Sequence, residues 1–263
     1  MLECVVNISE GRTRSIVDDI AATAGADLLD VHTDAHHNRA VLTLVGEAAP
    51  RAVTQEAVRR LDLRRHQGVH PRMGVVDVVP FVPLRHAELR EAVAARDGYA
   101  RWIAQRLHVP AFVYGPERGL PEVRRRAFRD LAPLAGPAWP HPRAGAVAVG
   151  ARPPLVAWNV YLAGSSLQDA KRIAAAVRGP GVQALGLAVG RDVQVSMNLI
   201  APNSIGPGEA WDLVAERASI ARAELVGLVP KAVLERTPAA RWSQLDLSHD
   251  RTIESRLERR GRG

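Results

Sequence analysis

Imidazole and guanidinium groups are concentrated in one short segment of the chain, which reads His66-Gln67-Gly68-Val69-His70-Pro71-Arg72-Met73-Gly74. Imidazole titrates near neutral pH without perturbation, so the segment carries candidates for a general acid or base, with His70 preferred over His66. Gly68 relieves the usual steric limits on the backbone, and Pro71 disfavours a helical conformation at His70. The apolar run that follows is typical of a buried strand. The segment therefore predicts an active-site loop; the alternative is a loop of ordinary exposed side chains.

Two other roles follow from the same residues. His66 and His70 are four residues apart, which suits two metal ligands on a helix, but Gly68 and Pro71 oppose a helix and no third ligand is placed. We therefore expect no metal. Arg72 is suited to bind a carboxylate through two hydrogen bonds or to lower the pKa of His70 by its charge; the alternative is a surface ion pair.

A second polar run lies between two predicted strands and consists of Asp30, His32, Asp34, His36 and His37, followed by Asn38 and Arg39. A carboxylate in this run is placed to orient the imidazole of His70, and Asp34 is the candidate. The alternative is a solvated hairpin turn that contains Asp34 and His36, because aspartate and other polar residues are common in turns.

Polar residues also follow the first predicted strand. Asn7, Glu10 and Gly11 precede a predicted helix, where such groups cap the helix or contact a ligand, and we expect Ser9 to cap.

The composition is that of a globular protein. The chain has 263 residues, of which 47% are hydrophobic and 24% charged, so it is long enough to bury a sizeable core. No apolar run approaches the roughly 18 residues that cross a bilayer, and no basic leader precedes the first strand. Cys4 is the single cysteine and reads as a small buried hydrophobe. We predict a cytoplasmic protein.

The charge balance is strongly positive, with a net charge of +7 and a pI near 10.5. Arginine provides almost all of it, since Lys171 and Lys231 are the only lysines. Scattered arginines and abundant alanine favour a coding bias over a nucleic-acid partner. Two clusters, Arg124 to Arg126 and the arginines of the C-terminal tail, read as solvated surface or a frayed tail. A positive field would also attract anionic small molecules.

Hydrophobic periodicity predicts the element order β-α-β-β-α-β twice. The first copy has strands near 3–8, 27–32, 39–45 and 75–82 with helices near 14–24 and 50–63, and the second has strands near 155–162, 182–188, 192–199 and 223–229 with helices near 167–178 and 208–221. A helix near 86–107, a strand near 110–115 and a helix near 121–130 extend the first copy. The order predicts an α+β fold with two ferredoxin-like sandwiches, each with helices on one face of a mainly antiparallel sheet.

Five residues between 133 and 142 are proline or glycine, which indicates a linker or binding loop. We predict an N-terminal subdomain over 1–145, a C-terminal subdomain over 146–238 and a basic, partly helical tail over 239–263.

Several blocks resemble one family in a single order across residues 2 to 235. His70-Pro71-Arg72-Met73-Gly74 is similar to a signature of the formiminotransferase domain of glutamate formimidoyltransferases. The other similar blocks are Leu2 to Gly11, Leu28 to Val31 with His37 to Arg39, Gly150 to Arg152 with Trp158 and Asn159, Gln194 to Leu199, and Leu225 to Pro230. The resemblance implies two similar α/β subdomains with a groove between them and a tendency to dimerise.

The resemblance also implies a reaction. It implies transfer of a formimidoyl group between N-formimidoyl-L-glutamate and N5 of tetrahydrofolate, as in histidine degradation, with His70 as general acid/base and tetrahydrofolate as co-substrate. The residues expected to bind folate or substrate are Asn7, Glu10, Asn38, Arg39, Arg72, Met73, Gly74, His141, Gly145, Asn159 and Asn198. His141 and Gly145 lie in a segment corresponding to folate contacts, and Asn159 and Asn198 are expected to be partnered within buried strands or to face the groove.

Some residues depart from the family pattern. The animal enzymes carry an aspartate at the position of His32, and the family usually has an acidic residue near Ala201. The segment 139–145 is several residues shorter than in the animal enzymes, and we expect no cyclodeaminase domain. Three alternatives remain: an enzyme acting on another one-carbon folate such as 5-formyltetrahydrofolate, a folate-binding protein without transfer, and a nucleic-acid-binding module.

Overall fold

A computed structural model describes residues 1–261 and contains two compact units, which divide between Pro153 and Pro154. The first unit consists of β1 (Leu2–Ile8), α1 (Arg14–Ala22), β2 (Leu28–Asp34), β3 (Arg39–Val45), α2 (Ala48–Arg60), β4 (Val76–Pro83), α3 (Leu89–Leu107), β5 (Ala111–Tyr114), α4 (Leu120–Arg126) and β6 (Val147–Ala151). The second consists of β7 (Val156–Leu162), α5 (Leu167–Val177), β8 (Val182–Val189), β9 (Asp192–Leu199), α6 (Pro207–Ala215), β10 (Ile220–Val226), α7 (Lys231–Arg236) and α8 (Ile253–Arg260). The predicted α+β class is confirmed.

The sheet of the first unit has six strands in the order β2-β3-β1-β4-β6-β5. The first four pair antiparallel, in the order expected when a β-α-β-β-α-β chain forms a ferredoxin-like sandwich. β6 pairs parallel with both β4 and β5 and makes the sheet mixed. This alanine- and glycine-rich strand was absent from the predicted elements. Because β6 belongs to this sheet, the first unit extends to Pro153 rather than to residue 145.

Alternation along the strands sets the two faces of this sheet. Val6, Ile8, Leu42 and Phe81 face one side, where they pack with the apolar stripes of α1, α2 and α3. α4 lies on the other side with Val78, Phe112 and Ala148. The polar residues at the ends of β1 and β3 alternate with the core-facing ones, so they project on the face opposite α1, α2 and α3.

The second unit has four antiparallel strands in the order β10-β7-β9-β8, which is again the ferredoxin-like order. Trp158 of β7 is fully buried in its core, and its ring nitrogen donates a hydrogen bond of 2.9 Å to the carbonyl of Leu245. Burial of an aromatic ring with a satisfied N–H anchors the following chain to the sheet.

The C-terminal residues are folded, so the expectation of a frayed tail is wrong for residues 239–260. Leu245 and Leu247 belong to the core of the second unit, and Val229 forms a bridge with Thr252 just before α8. Ile253 and Leu257 bury one face of that helix. Arg262 lies outside the described residues. In the described part of the chain, no helix combines the length and apolarity needed to cross a membrane.

Gly145 lies where two backbones meet in the first unit. Its φ is +72°, a left-handed conformation that L-residues adopt at a cost. A Cβ at this position would lie 2.3 Å from the carbonyl oxygen of Met73, which is far inside van der Waals contact. Gly74 forms a bridge with Gly145 and is equally close to backbone, with Ala146 O 2.2 Å from an added Cβ. The proline-rich segment therefore packs directly against the end of the 66–74 loop.

We expect Gly145→Ala to lower the free energy of unfolding by at least about 2 kcal/mol, because it adds a clash to the cost of a positive φ. Gly25→Ala is the matched control: Gly25 also has a positive φ but nothing lies within 4 Å of an added Cβ, so we expect about 1 kcal/mol. Urea denaturation of the three proteins measures both values. Equal losses for the two variants would contradict the close backbone contact.

Candidate functional site

Asn7 and Arg39 lie at neighbouring strand ends and share a hydrogen-bonded cluster with His70. Asn7 is the penultimate residue of β1 and pairs with Val41 of β3, two residues from Arg39. Nε of Arg39 donates to Oδ1 of Asn7 at 3.0 Å, and its Nη2 contacts the same oxygen. Nη1 of Arg39 contacts the imidazole of His70. The structure thus brings together three of the predicted site residues from segments far apart in sequence.

The contacts of His70 favour one tautomer. Nδ1 lies 2.7 Å from the carbonyl oxygen of Pro71, which only accepts, and 2.8 Å from Nη1 of Arg39; the Pro71 contact favours the tautomer with the proton on Nδ1. Nε2 then carries the lone pair, and Arg39 donates to it. Burial, together with the charges of Arg39 and Arg124, lowers the pKa of His70 to about 2. His70 is therefore a neutral imidazole at physiological pH, with the form of a base.

Arg39 is a partly buried cation whose described hydrogen bonds go to neutral partners, Asn7 and His70. Burial lowers its pKa to about 10, which leaves it charged at neutral pH. A buried charge is costly without an opposite charge beside it. Its surroundings are thus suited to an anionic group of a ligand.

Asn38 joins three segments. Its Oδ1 accepts from the backbone N–H of Gly11 at 3.0 Å, and its Nδ2 donates to the carbonyl of Gln67 at 2.9 Å. Its own carbonyl accepts from Nε2 of His66 at 2.8 Å. Asn38 has a φ of +47°, a conformation that asparagine adopts more readily than most residues. Asn38 was predicted to contact a ligand, but in this arrangement its side chain holds the loop.

Residues 66–73 form an irregular loop, as the sequence predicts. Arg72 donates to the carbonyls of His66, Gly68 and His70, so its guanidinium is occupied in closing the loop. The arginine charges that lower the pKa of His70 belong to Arg39 and Arg124, and not to Arg72 as the sequence suggested.

Asp77 and Arg124 anchor the far end of the loop. Asp77 is 2% exposed; it accepts from the backbone N–H of Met73 at 2.7 Å and pairs with Arg124 at 2.6 Å. Arg124 also donates to the carbonyl of Pro71. The expectation that Arg124 belongs to a solvated basic cluster is therefore wrong. The sequence signal for this anchor was Asp77, a lone carboxylate within the apolar run 75–82, because a buried charge requires a partner.

Asp34 orients a different imidazole from the one that the sequence suggested. Its Oδ2 lies 2.9 Å from Nδ1 of His37, and its Oδ1 accepts from the backbone N–H groups of His36 and His37 at 2.7 and 2.8 Å. The β2–β3 turn bends the carboxylate back onto its own residues, as Asp commonly does in turns. The hydrogen bonds described for His70 are made with the guanidinium of Arg39 and the carbonyl of Pro71 instead.

Glu10 and Ser9 both bond to backbone, and neither caps α1. Oε1 of Glu10 accepts from the backbone N–H groups of Arg12 and Thr13, each at 2.8 Å, just before α1 begins. Ser9 is buried and donates to the carbonyl of Gly74 at 2.8 Å. Glu10 therefore stabilises the turn that leads into α1, and Ser9 ties β1 to the loop, so the expectation that Ser9 caps is wrong.

A cavity of about 470 Å³ opens beside the loop within the first unit. Its lining residues are Leu63, Met73, Arg124, Ala127, Phe128, Pro140, His141, Pro142 and Gly145. The size and the mixture of apolar and few polar groups are typical of small-molecule sites. Nδ1 of His141 accepts from the backbone N–H groups of Arg143 and Ala144, so this ring is held in place at the cavity wall. Among residues 1–261, His, Cys, Asp and Glu side chains nowhere group in threes or more as a metal ion requires.

Asn159 and Asn198 belong to the second unit, on the sheet face opposite its helices. Asn159 is buried and donates to Oε2 of Glu224 at 3.1 Å, and Tyr161 donates to the same oxygen at 3.0 Å. Asn198 is exposed, which differs from the buried amide expected within an apolar strand. The two residues lie on adjacent paired strands, β7 and β9.

Comparison with known proteins identifies the family. Residues 1–152 match the model of the formiminotransferase domain, N-terminal subdomain. A glutamate formimidoyltransferase of Streptococcus pyogenes is 35% identical, over 89% of this chain and 90% of the relative. The chain belongs to the formiminotransferase family. A glutamate formimidoyltransferase of Thermoplasma acidophilum is 33% identical over 89% of each chain. The formimidoyltransferase-cyclodeaminase of Sus scrofa is 34% identical, and there the match covers 51% of the relative.

The depressed pKa of His70 predicts a pH dependence of stability in this formiminotransferase. His70 titrates near 2 in the folded chain and near 6.5 in an unfolded one. Below about pH 6.5 the unfolded chain binds a proton that the folded chain does not. The free energy of unfolding therefore decreases as the pH is lowered below about 6.5. His70 contributes up to about 1.4 kcal/mol per pH unit to this decrease, until the folded form also titrates. Above pH 6.5 the contribution is constant.

Urea denaturation of wild type and His70→Gln between pH 7.5 and 5 measures this dependence. The wild type should lose more stability than the variant over this range, since the other histidines contribute equally to both. Parallel curves would show that His70 titrates normally in the folded chain.

We expect Asn38→Asp to weaken the loop, because a carboxylate still accepts from Gly11 but repels the carbonyl of Gln67. The loss of a buried donor costs about 1–3 kcal/mol of unfolding free energy. Asn198→Asp, at an exposed strand position, is the control and should change stability little. Limited proteolysis should also cut residues 66–73 faster in Asn38→Asp; equal cutting rates would contradict the bridging role.

Proposed function

We propose that this chain transfers a formimidoyl group between N-formimidoyl-L-glutamate and N5 of tetrahydrofolate, with His70 as the acid–base catalyst. The observation that carries the proposal is a neutral imidazole beside a partly buried guanidinium whose hydrogen bonds within residues 1–261 go to neutral groups, next to a cavity of small-molecule size. The names of the relatives support the same reaction.

The reaction needs a group that accepts and returns one proton. In the direction that consumes formimidoylglutamate, N5 attacks the formimidoyl carbon, a tetrahedral intermediate forms, and the bond to the glutamate nitrogen breaks. N5 loses a proton, and the glutamate nitrogen gains one. His70 is neutral and presents a lone pair at Nε2, so it can take the first proton and return it to the departing nitrogen.

Arg39 binds a carboxylate of the substrate in this proposal. A carboxylate replaces the two neutral partners with an opposite charge, and it draws the guanidinium away from the lone pair of His70. Binding of the substrate then frees the lone pair of His70 to act as the base in the reaction.

Tetrahydrofolate occupies the cavity lined by Met73, His141 and Gly145. Phe128 offers an aromatic surface for a flat pterin ring, and Arg124 offers a positive charge for an anionic group of the folate. Asn7 and Gly74 support the cavity and loop from β1 and from the bridge to Gly145. Asn159 and Asn198 stay predicted binding residues, and a cytoplasmic location, the absence of a metal and a homodimer stay predictions.

The test is tetrahydrofolate-dependent consumption of N-formimidoyl-L-glutamate by wild type, His70→Ala and His36→Ala. We expect His70→Ala to lower kcat by about 10²- to 10⁴-fold, the range of general acid–base catalysis, with tetrahydrofolate binding retained. His36 is an exposed histidine on the neighbouring turn, so His36→Ala is the control and should match wild type.

The outcomes separate the alternatives. Full turnover by His70→Ala would refute the role of His70. Tetrahydrofolate binding without turnover in wild type would indicate a binding protein. Turnover of 5-formyltetrahydrofolate but not of the formimidoyl donor would indicate a different one-carbon group.

A further inference from the structure

We propose that His37 is a proton-relay residue of this site: His70 passes the proton that it takes from the substrate to His37, and Asp34 holds His37 ready to receive it. The inference rests on the proposed function and extends it to a second imidazole. Asp34 pairs with Arg39 in the β2–β3 ladder, but the contact of its side chain with His37 has no part in the cavity lining and no role in the reaction described above.

The geometry places the two imidazoles side by side. The ring centroids of His37 and His70 are 6.0 Å apart, and the rings meet edge to face at 88°. His37 is 8% exposed, so water has little access to the space around it. Gly68 of the catalytic loop packs on the carbonyl of His37, where an added Cβ would lie 2.3 Å from the oxygen. The loop that carries His70 therefore rests directly on the residue that holds the second ring.

The proton pattern of His37 leaves one nitrogen ready to accept. Asp34 accepts from Nδ1 at 2.9 Å, which fixes the proton on that nitrogen and the lone pair on Nε2. Nε2 of His37 is buried and has no hydrogen-bond partner among the described residues. Buried polar atoms are rarely left in this state, because an unmade hydrogen bond costs free energy. A proton donor that reaches Nε2 during the reaction supplies the missing partner.

The proton balance of the relay is complete. Nε2 of His70 takes the proton from the attacking N5 as the new carbon–nitrogen bond forms. Nδ1 of His70 then exchanges its hydrogen bond to the Pro71 carbonyl for one to Nε2 of His37 and releases its own proton there. His70 remains neutral in its other tautomer, and His37 becomes an imidazolium beside the carboxylate of Asp34. The reverse transfers return the proton through His70 to the glutamate nitrogen as its bond to carbon breaks. No oxidant, reductant or further reactant takes part.

The relay explains how His70 can accept a proton although two arginine side chains lie close to it. An imidazolium at His70 would face Arg39 and Arg124, which disfavour it, whereas an imidazolium at His37 faces a carboxylate. Because the proton is passed on, His70 carries a second proton, and with it a positive charge, only transiently. The alternative is that Asp34 and His37 only shape the β2–β3 turn, in which Asp34 already bonds two backbone N–H groups.

The experiment compares kcat and KM of wild type, His37→Gln, Asp34→Asn and His36→Gln in the formimidoylglutamate assay. Glutamine at 37 fills similar space and still donates to Asp34, but it cannot carry a proton. Asparagine at 34 keeps an oxygen for the turn but loses the charge. We expect kcat to fall about 10²-fold in His37→Gln and about tenfold in Asp34→Asn, with KM and thermal midpoint near wild type. His36→Gln should be unchanged.

Chemical rescue separates proton transfer from packing. Added imidazole should restore part of kcat in His37→Gly, and pyrazole, a ring of the same size but a much weaker base, should not. Restoration by both rings, or wild-type kcat in His37→Gln, would overturn the relay. Loss of turnover only in proportion to a lower thermal midpoint would also overturn it. A wild type inactive with every folate donor would refute the proposed function itself, so the two failures are distinguishable.

Discussion

The hydrogen bonds of Asn38 are the constraint on which the site depends, because they join the three chain segments that compose it. The segments after β1, at the β2–β3 turn and before β4 meet at this residue. Such a junction requires backbone to touch backbone. A Cβ at Gly11 would lie 2.4 Å from the carbonyl of Asp34, and one at Gly68 would lie 2.3 Å from that of His37. Glycine at both positions is therefore what allows Asn38 to reach both partners.

The same junction produces two different electrostatic environments a short distance apart. On one side of the turn, His70 lies beside Arg39 and near Arg124, and its neutral form is favoured. On the other side, His37 lies against Asp34, whose own pKa is held well below its usual range by hydrogen bonds from His37. Burial acts against the charged carboxylate, so these bonds outweigh it. A short turn thus separates an imidazole beside arginine from an imidazole beside a carboxylate.

The architecture was predictable from the sequence because each ferredoxin-like half repeats one order of clear periodic elements. Strand β6 was not predictable. Val147 to Ala151 is short, rich in alanine and glycine, and buried on both faces, so it lacks the alternation of apolar and polar residues that marks a strand. At the site, residue type and the family resemblance selected His70, and the resemblance selected Asn7 and Arg39. Their partners were not predictable, because Arg39 reaches His70 across 31 positions in sequence and Asp34 turns back on its own hairpin.

The anchoring of the loop explains why arginine is used in three distinct ways around His70. Arg72 donates to three carbonyls and Arg124 pairs with buried Asp77, so both charges are offset by oxygen atoms of the protein. Among the described residues, Arg39 donates to an amide oxygen and an imidazole lone pair, both neutral, which leaves a positive potential at this position in the cluster. Because a partly buried charge without a bonded anion lowers stability, its retention beside a base favours a function that supplies the anion. Both glutamate and the tail of a folate carry such an anion, and the fold holds Arg39 where the anion and the base can meet.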